Sequence, residues 1–175
     1  ENKDKNILIK DSYLQSTKYY IEYEKEIQQL FEPNEFFKQL IKKKNPKIFD
    51  DTQSNICIQM RLNWGLGIEL NTQFILKAIE YLKNQNFIQN NINLWIFSDN
   101  MPKAKKILSS LSNYNIIFVN DNKYDYEDLW MMSLINNHIV SFSTFSWWGA
   151  FLNQNDNKKI IYSFDFCDVF CKKIL

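Results

Sequence analysis

Short apolar runs, each followed by a stretch with helical apolar spacing, constrain this chain more than any other feature of its sequence. Ile56 to Met60, Leu94 to Phe97, Ile116 to Val119, His138 to Phe142 and Lys159 to Tyr162 read as strands. Between them, Thr72 to Lys83, Pro102 to Leu111, Tyr126 to Ile135 and Trp147 to Leu152 read as helices. The first of these helices sets Phe74, Ile75, Ala78, Ile79 and Leu82 on one side, the i, i+3, i+4 pattern of an amphipathic helix. Strands that are apolar throughout, rather than alternating, are those covered on both faces. Strand and helix in turn therefore imply an α/β fold, a Rossmann-like parallel sheet with helices on both faces.

The first fifty residues follow a different rule. Tyr19 through Phe31 has helical spacing, Pro33 interrupts it, and Glu35 to Lys43 forms a second short helix. Its basic end, Lys42-Lys43-Lys44, suits a solvated helix C-terminus, where the macrodipole favours cations. Residues 1–50 are thus expected to be a helical segment at the edge of an N-terminal subdomain, and 51–175 the Rossmann-like unit.

Composition narrows the function classes. Lys+Arg 21 against Asp+Glu 20 gives a net charge of +1, which excludes a strongly basic nucleic-acid binder and an acidic disordered tail. With 45% apolar residues and only 3 Gly and 3 Pro in 175, the chain can bury a dense core. No run of about 18 uncharged apolar residues exists to span a membrane. The opening residues hold neither a Met nor an apolar signal region, so the expectation is an excerpt of a longer chain. Cys57 reads as a small buried hydrophobe, and Cys167 and Cys171 as free thiols near the chain end, too few for a disulfide framework.

In an open parallel sheet, ligands bind beyond the carboxyl ends of the strands. That rule selects Gln59-Met60-Arg61, Ser98-Asp99-Asn100 and Ser141 to Trp148. Together they offer a guanidinium, a carboxylate and a hydroxyl-rich turn entering a helix, a set that suits a phosphate carrying a polar base. Each also has a purely structural reading. Ser146 reads as an N-cap, Asp99 as a turn initiator, Arg61 as the partner of a surface carboxylate and His138 as a boundary residue. Trp147 and Trp148 read as core, with Gly149 allowing their helix to approach the sheet. No GxGxxG, Gly-Lys-Thr loop, HExxH or Asp-x-Asp occurs, so dinucleotide, P-loop, zinc and paired-carboxylate metal sites fall away.

Several blocks together resemble one family. Phe97-Ser98-Asp99, Tyr126-Glu127-Asp128-Leu129 with Met132-Ser133, His138-Ile139-Val140 and Ser143-Thr144-Phe145-Ser146-Trp147-Trp148-Gly149-Ala150-Phe151-Leu152 are similar to the α-1,2-fucosyltransferases, glycosyltransferase family 11. Upstream, Tyr13-Leu14-Gln15-Ser16-Thr17-Lys18-Tyr19-Tyr20 resembles that family's G-Y-F-Q-S-x-K-Y-F stretch. The resemblance spans about residues 11 to 165. It implies a GT-B-type enzyme that moves L-fucose from GDP-fucose to a galactoside-type hydroxyl, inverting, with no metal and no cofactor beyond the donor substrate. It also implies that this chain is mainly the donor half, since the family's opening Gly-Gly-Leu-Gly-Asn-Gln segment is absent.

The family's His-x-Arg-Arg-x-Asp motif falls on Gln59, Met60, Arg61, Leu62, Asn63 and Trp64, so one arginine is kept and the carboxylate position is a tryptophan. Carried over residue by residue, the resemblance implies that Arg61 meets the diphosphate and assists its departure, and that Gln59 lies near the base. Asp99 reads the base or ribose. Ser143 and Thr144 supply hydroxyls, and the backbone at Ser146 and Trp147 supplies amides. Glu69, ten residues past Gln59, falls at the spacing where the family's α-1,6-fucosyltransferase relatives carry a candidate base and is the expected catalytic base, beside the structural reading of a surface glutamate leading a helix. The partners implied are a nucleotide-sugar donor and a carbohydrate acceptor, with no nucleic acid. Two alternatives stay open: another nucleotide sugar on the same fold, or a binding module that has lost catalysis. Family members are cytosolic in bacteria and membrane-anchored in the Golgi of animals and plants, so the resemblance leaves the compartment open.

Overall fold

The computed structural model describes residues 20–63 and 70–162. Five strands, β1 (Ser54–Met60), β2 (Ile92–Ser98), β3 (Asn115–Phe118), β4 (Asn137–Val140) and β5 (Lys159–Tyr162), form one sheet in the order β3-β2-β1-β4-β5. All four pairings are parallel. The strand order reverses between β1 and β4, which opens a crevice at their carboxyl ends.

Six helices cover this sheet: α1 (Glu24–Leu30), α2 (Glu35–Lys44), α3 (Thr72–Asn84), α4 (Met101–Leu108), α5 (Asp125–Ser133) and α6 (Thr144–Phe151). Successive strand residues serve opposite faces. Ile56, Ile58 and Met60 of β1, with Leu94 and Ile96 of β2, pack against Ile75, Ile79 and Leu82 of α3 and Ala104 and Leu108 of α4. The residues between them, Cys57, Trp95 and Phe97, join Phe37 and Ile41 of α2 and Met131 and Met132 of α5 on the second face. Val140 packs there with Trp147, Ala150 and Phe151 of α6. The helical segment before residue 50 thus shares its core with the sheet.

Caps explain where the helices begin. The Asn34, Asn71 and Asn100 side chains accept from the Phe37, Phe74 and Lys103 amides and start α2, α3 and α4. Asn86, at φ 55, ends α3 in the left-handed conformation that asparagine tolerates. A β-carbon on Gly149 would stand 2.9 Å from the Met132 Cβ, so a glycine is required for α6 to lie this close to α5.

The element order is the one expected, and two boundaries move. β4 ends at Val140 rather than Phe142, and α6 begins at Thr144 rather than Trp147. The reason is the cap. Ser143 takes the extended backbone (φ −152, ψ 127) and accepts from the Ser146 amide, so the helix starts three residues before the expected position. At the other end of the chain, a 3-10 turn, Ile21–Tyr23, precedes α1 where continuous helix was expected. Among the described residues no helix is long and apolar enough to cross a membrane. Cys57 is buried, as expected, and Cys167 and Cys171 lie outside the described residues.

The amino-terminal edge of the sheet carries a row of asparagines. Register sets Asn55 beside Asn93 and Asn93 beside Asn115. Asn115 Nδ2 donates to Asn93 Oδ1 at 2.6 Å, and Asn93 Nδ2 donates to Asn55 Oδ1 at 3.0 Å. Trp95 Nε1 donates to the same Asn55 oxygen at 2.8 Å, and Asn55 Nδ2 donates to the Lys47 carbonyl at 2.8 Å. Buried amides are tolerated here because each has a partner.

Candidate functional site

A cavity of about 430 Å³ opens at the carboxyl edge of the sheet, on the side of α5 and α6. That is within the range of small-ligand sites, about 300–1,000 Å³. Its lining comes from the end of β1 (Gln59, Arg61), the end of β2 (Phe97, Ser98, Asp99), the first turn of α5 (Asp125, Asp128) and the entry to α6 (Phe142 to Phe145).

Arg61 is half-exposed, and its Nε lies 3.4 Å from Asp99 Oδ2. Asp99 is largely committed to the protein. Its carboxylate accepts from the Leu62 amide at 2.7 Å and the Asn63 amide at 3.3 Å, while its carbonyl accepts from Asn63 Nδ2 at 2.8 Å. Ser98 Oγ donates to the Met60 carbonyl at 2.8 Å, and Asn100 Nδ2 to Asn63 Oδ1 at 2.9 Å. The turn after β2 therefore holds the segment after β1 in place and steadies Arg61. The sequence pointed to contact of Asp99 with a base or ribose; Asp99 lines the cavity, with its carboxylate beside Arg61 and accepting from the Leu62 and Asn63 amides.

Gln59 is buried, and its Oε1 accepts from Ser141 Oγ at 2.9 Å. Ser143 and Thr144 stand at the entry to α6, Ser143 buried and Thr144 exposed. The first bond within the helix runs from the Trp147 amide to the Ser143 carbonyl at 3.1 Å, and the Ser146 amide is 3.5 Å from Ser143 Oγ. The Ser146 and Trp147 amides expected to face a ligand are thus engaged inside the helix, and both side chains are buried away from the cavity. The amides that a helix start leaves over are those of Thr144 and Phe145. Trp147 stacks on Phe151 at 4.8 Å between ring centroids, in keeping with the core reading. Glu69 and Trp64 lie outside the described residues.

Two cavity residues were given no site role from the sequence, although Asp128 stands in the Tyr126-Glu127-Asp128-Leu129 block. Asp125 and Asp128, three apart on α5, place two carboxylates on its wall. Burial holds the Asp128 carboxyl above its ordinary range, opposed by the Asn122 side chain, which donates to it at 2.7 Å; Asp125, Glu127 and Asp121 add repulsion. The signal was present as the acidic start of a helix. It reads as helix-dipole complementation until the crossover from β3 to β4 brings that start to the crevice. Among the described residues no three His, Cys, Asp or Glu side chains are grouped to hold a metal ion. His138 lies in the core, its Nε2 buried without a partner among the described residues.

Comparison with known proteins adds the context. The profile of glycosyl transferase family 11 matches residues 5–173. The O-antigen biosynthesis glycosyltransferase WbnK of Escherichia coli is 32% identical over 85 residues, covering 49% of this chain and 27% of that protein. An alpha-1,2-colitosyltransferase of Escherichia coli is 26% identical over 153 residues, covering 82% of this chain and 51% of the relative. The chain therefore spans about half, or less, of the curated relatives it matches. A crystal structure of POFUT1 in complex with GDP superposes at a TM-score of 0.46 and 12% identity, over 70% of this chain and 45% of that one.

Proposed function

The chain belongs to glycosyl transferase family 11, and from that premise we propose that it carries the donor site of an inverting α-1,2-fucosyltransferase, using GDP-fucose and a galactoside-type acceptor without a separate cofactor. The observation that carries this reading is one cavity at the strand-order reversal that gathers Arg61, Ser143, Thr144 and two α5 carboxylates.

The chemistry follows from where charge develops. Departure of GDP leaves negative charge on the β-phosphate, and preorganised donors must meet it. Arg61 offers a guanidinium fork. Ser143 and Thr144 offer hydroxyls, and the first-turn amides of α6 offer N–H groups at the positive end of the helix. Asp128 suits the base, because guanine presents two adjacent N–H donors that a carboxylate can accept together. Uracil presents one. Glu69 remains the proposed base for the acceptor hydroxyl, which must come within about 3 Å of it.

Mixing the full-length protein with a galactoside and GDP-fucose, GDP-colitose or UDP-galactose tests the reading. The expected result is a fucosylated product whose new bond is α-1,2 by NMR. Preference for the UDP-sugar, or donor hydrolysis with no product, contradicts it. Glu69→Gln is expected to abolish transfer while GDP still binds. A colitosyl donor is the second reading, favoured by the relative that matches over 82% of this chain. It changes the sugar and keeps the nucleotide site.

A further inference from the structure

We propose that Ser141, backed by Ser146, is a positioning residue that fixes the Gln59 amide so that the cavity meets its NH2 group and not its carbonyl. The proposal rests on the donor-site reading above and assigns a polarity to one wall of that site.

Gln59 and Ser141 are 5% and 3% exposed and sit on either side of the β1–β4 boundary, where the strand order reverses. Ser141 is tied down at three points. Its amide donates to Ser146 Oγ at 3.3 Å, its carbonyl accepts from the Ser143 amide at 2.7 Å, and its hydroxyl donates to Gln59 Oε1 at 2.9 Å. Gln59 Nε2 has no protein partner among the described residues, yet it is not sealed in. The buried side-chain atom left without a partner there is His138 Nε2, and Gln59 lines the cavity.

Turning the amide over would reverse the bond, Nε2 donating to the Ser141 oxygen, and would take from the buried hydroxyl proton the one acceptor it has among the described residues. It would also direct a carbonyl into a cavity that already holds Asp99, Asp125 and Asp128 against Arg61. An anionic ligand would meet more repulsion. With the amide fixed, Gln59 offers a donor, and the ligand group that it touches is an acceptor: a phosphate oxygen or a base carbonyl. This also assigns a task to the buried Ser146 hydroxyl, which acts through Ser141 rather than on the ligand.

The test is GDP affinity of the full-length protein, titrated well below each variant's unfolding midpoint. Ser141→Ala is expected to weaken GDP about five- to tenfold, as loss of one ordered hydrogen bond does. Gln59→Leu should weaken it to a similar degree, and Ser141→Ala added to Gln59→Leu should weaken it no further. Gln59→Glu keeps the side-chain volume and the Ser141 bond but removes the NH2 group. It should bind GDP no better than Gln59→Leu. Wild-type affinity in Ser141→Ala, additive losses in the double variant, or near-normal binding by Gln59→Glu each overturn the proposal. If Arg61→Ala loses GDP while Ser141→Ala does not, the positioning role fails and the donor site stands. Absence of GDP binding in the wild-type protein removes both.

Discussion

Asn55 and Gln59 are carboxamides on the same face of β1, about 13 Å apart at about 3.3 Å per residue, and both are buried. Asn55, at the amino end, is fully used. Its oxygen accepts from Asn93 and Trp95, and its nitrogen donates to the Lys47 and Ile48 carbonyls. Gln59, at the carboxyl end, has only its oxygen engaged among the described residues. The same chemical group is a fixture of the sheet at one edge and a half-satisfied probe at the other. What separates them is that the 3-10 turn Pro46–Phe49 covers Asn55 at the amino edge, whereas the strand-order reversal opens a crevice at the carboxyl edge.

The sharpest way to break that contrast is Asn55→Leu. It leaves the buried Trp95 Nε1 without its acceptor, at about 1–3 kcal/mol, and takes one of two acceptors from Asn93 Nδ2, which keeps Gln53 Oε1 at 2.9 Å. The unfolding free energy from denaturant titration should fall by about 2–4 kcal/mol, with GDP affinity of the folded fraction unchanged; loss of affinity in folded protein would blur the two edges. Arg61→Ala should do the reverse. GDP binding weakens at least about tenfold, as loss of a charge-assisted contact of about 1.5–3 kcal/mol implies, while stability stays within about 0.5 kcal/mol of wild type. Next comes Asp128→Asn. Burial and neighbouring carboxylates raise the folded-state pKa of Asp128, so its ionised form costs stability, and that cost appears as pH rises through the window above the ordinary carboxylate value. The asparagine variant should melt at a higher temperature at pH 7 and bind GDP more weakly. A lower melting point would show that the carboxylate is structural.

The mildest effect is a pH slope. Burial lowers the His138 pKa from 6.5 to about 3, against a hydrogen bond to the Ile135 backbone that raises it. The unfolded chain takes up a proton below about pH 6.5 that the folded chain refuses, so stability falls as pH drops from there toward 3. At pH 5.5 the loss is under about 1.4 kcal/mol. His138→Asn should flatten the slope, and an unchanged slope would assign it to other groups.

Much of this was legible in the residues. The run of apolar strands separated by amphipathic helices gave the sheet, and the carboxyl-edge rule found Gln59, Arg61, Asp99, Ser143 and Thr144, which the fold gathers at one cavity. The start of α6 was not legible, because Ser143 and Ser146 are both good caps and spacing alone does not choose between them. The choice depends on β4 stopping at Val140. The site role of Asp125 and Asp128, the latter already within the Tyr126–Leu129 block, was hidden for a different reason: only the crossover from β3 to β4 carries the first turn of α5 to the crevice. The asparagine row was equally silent, since composition shows abundance and register shows use.

A crystal structure of the full-length protein with GDP tests the central claim most directly. The account predicts the β-phosphate within hydrogen-bond reach of Arg61 and the first turn of α6, with the guanine edge on Asp128. A nucleotide seated elsewhere on the chain, or diphosphate density remote from both Arg61 and Thr144, would contradict it.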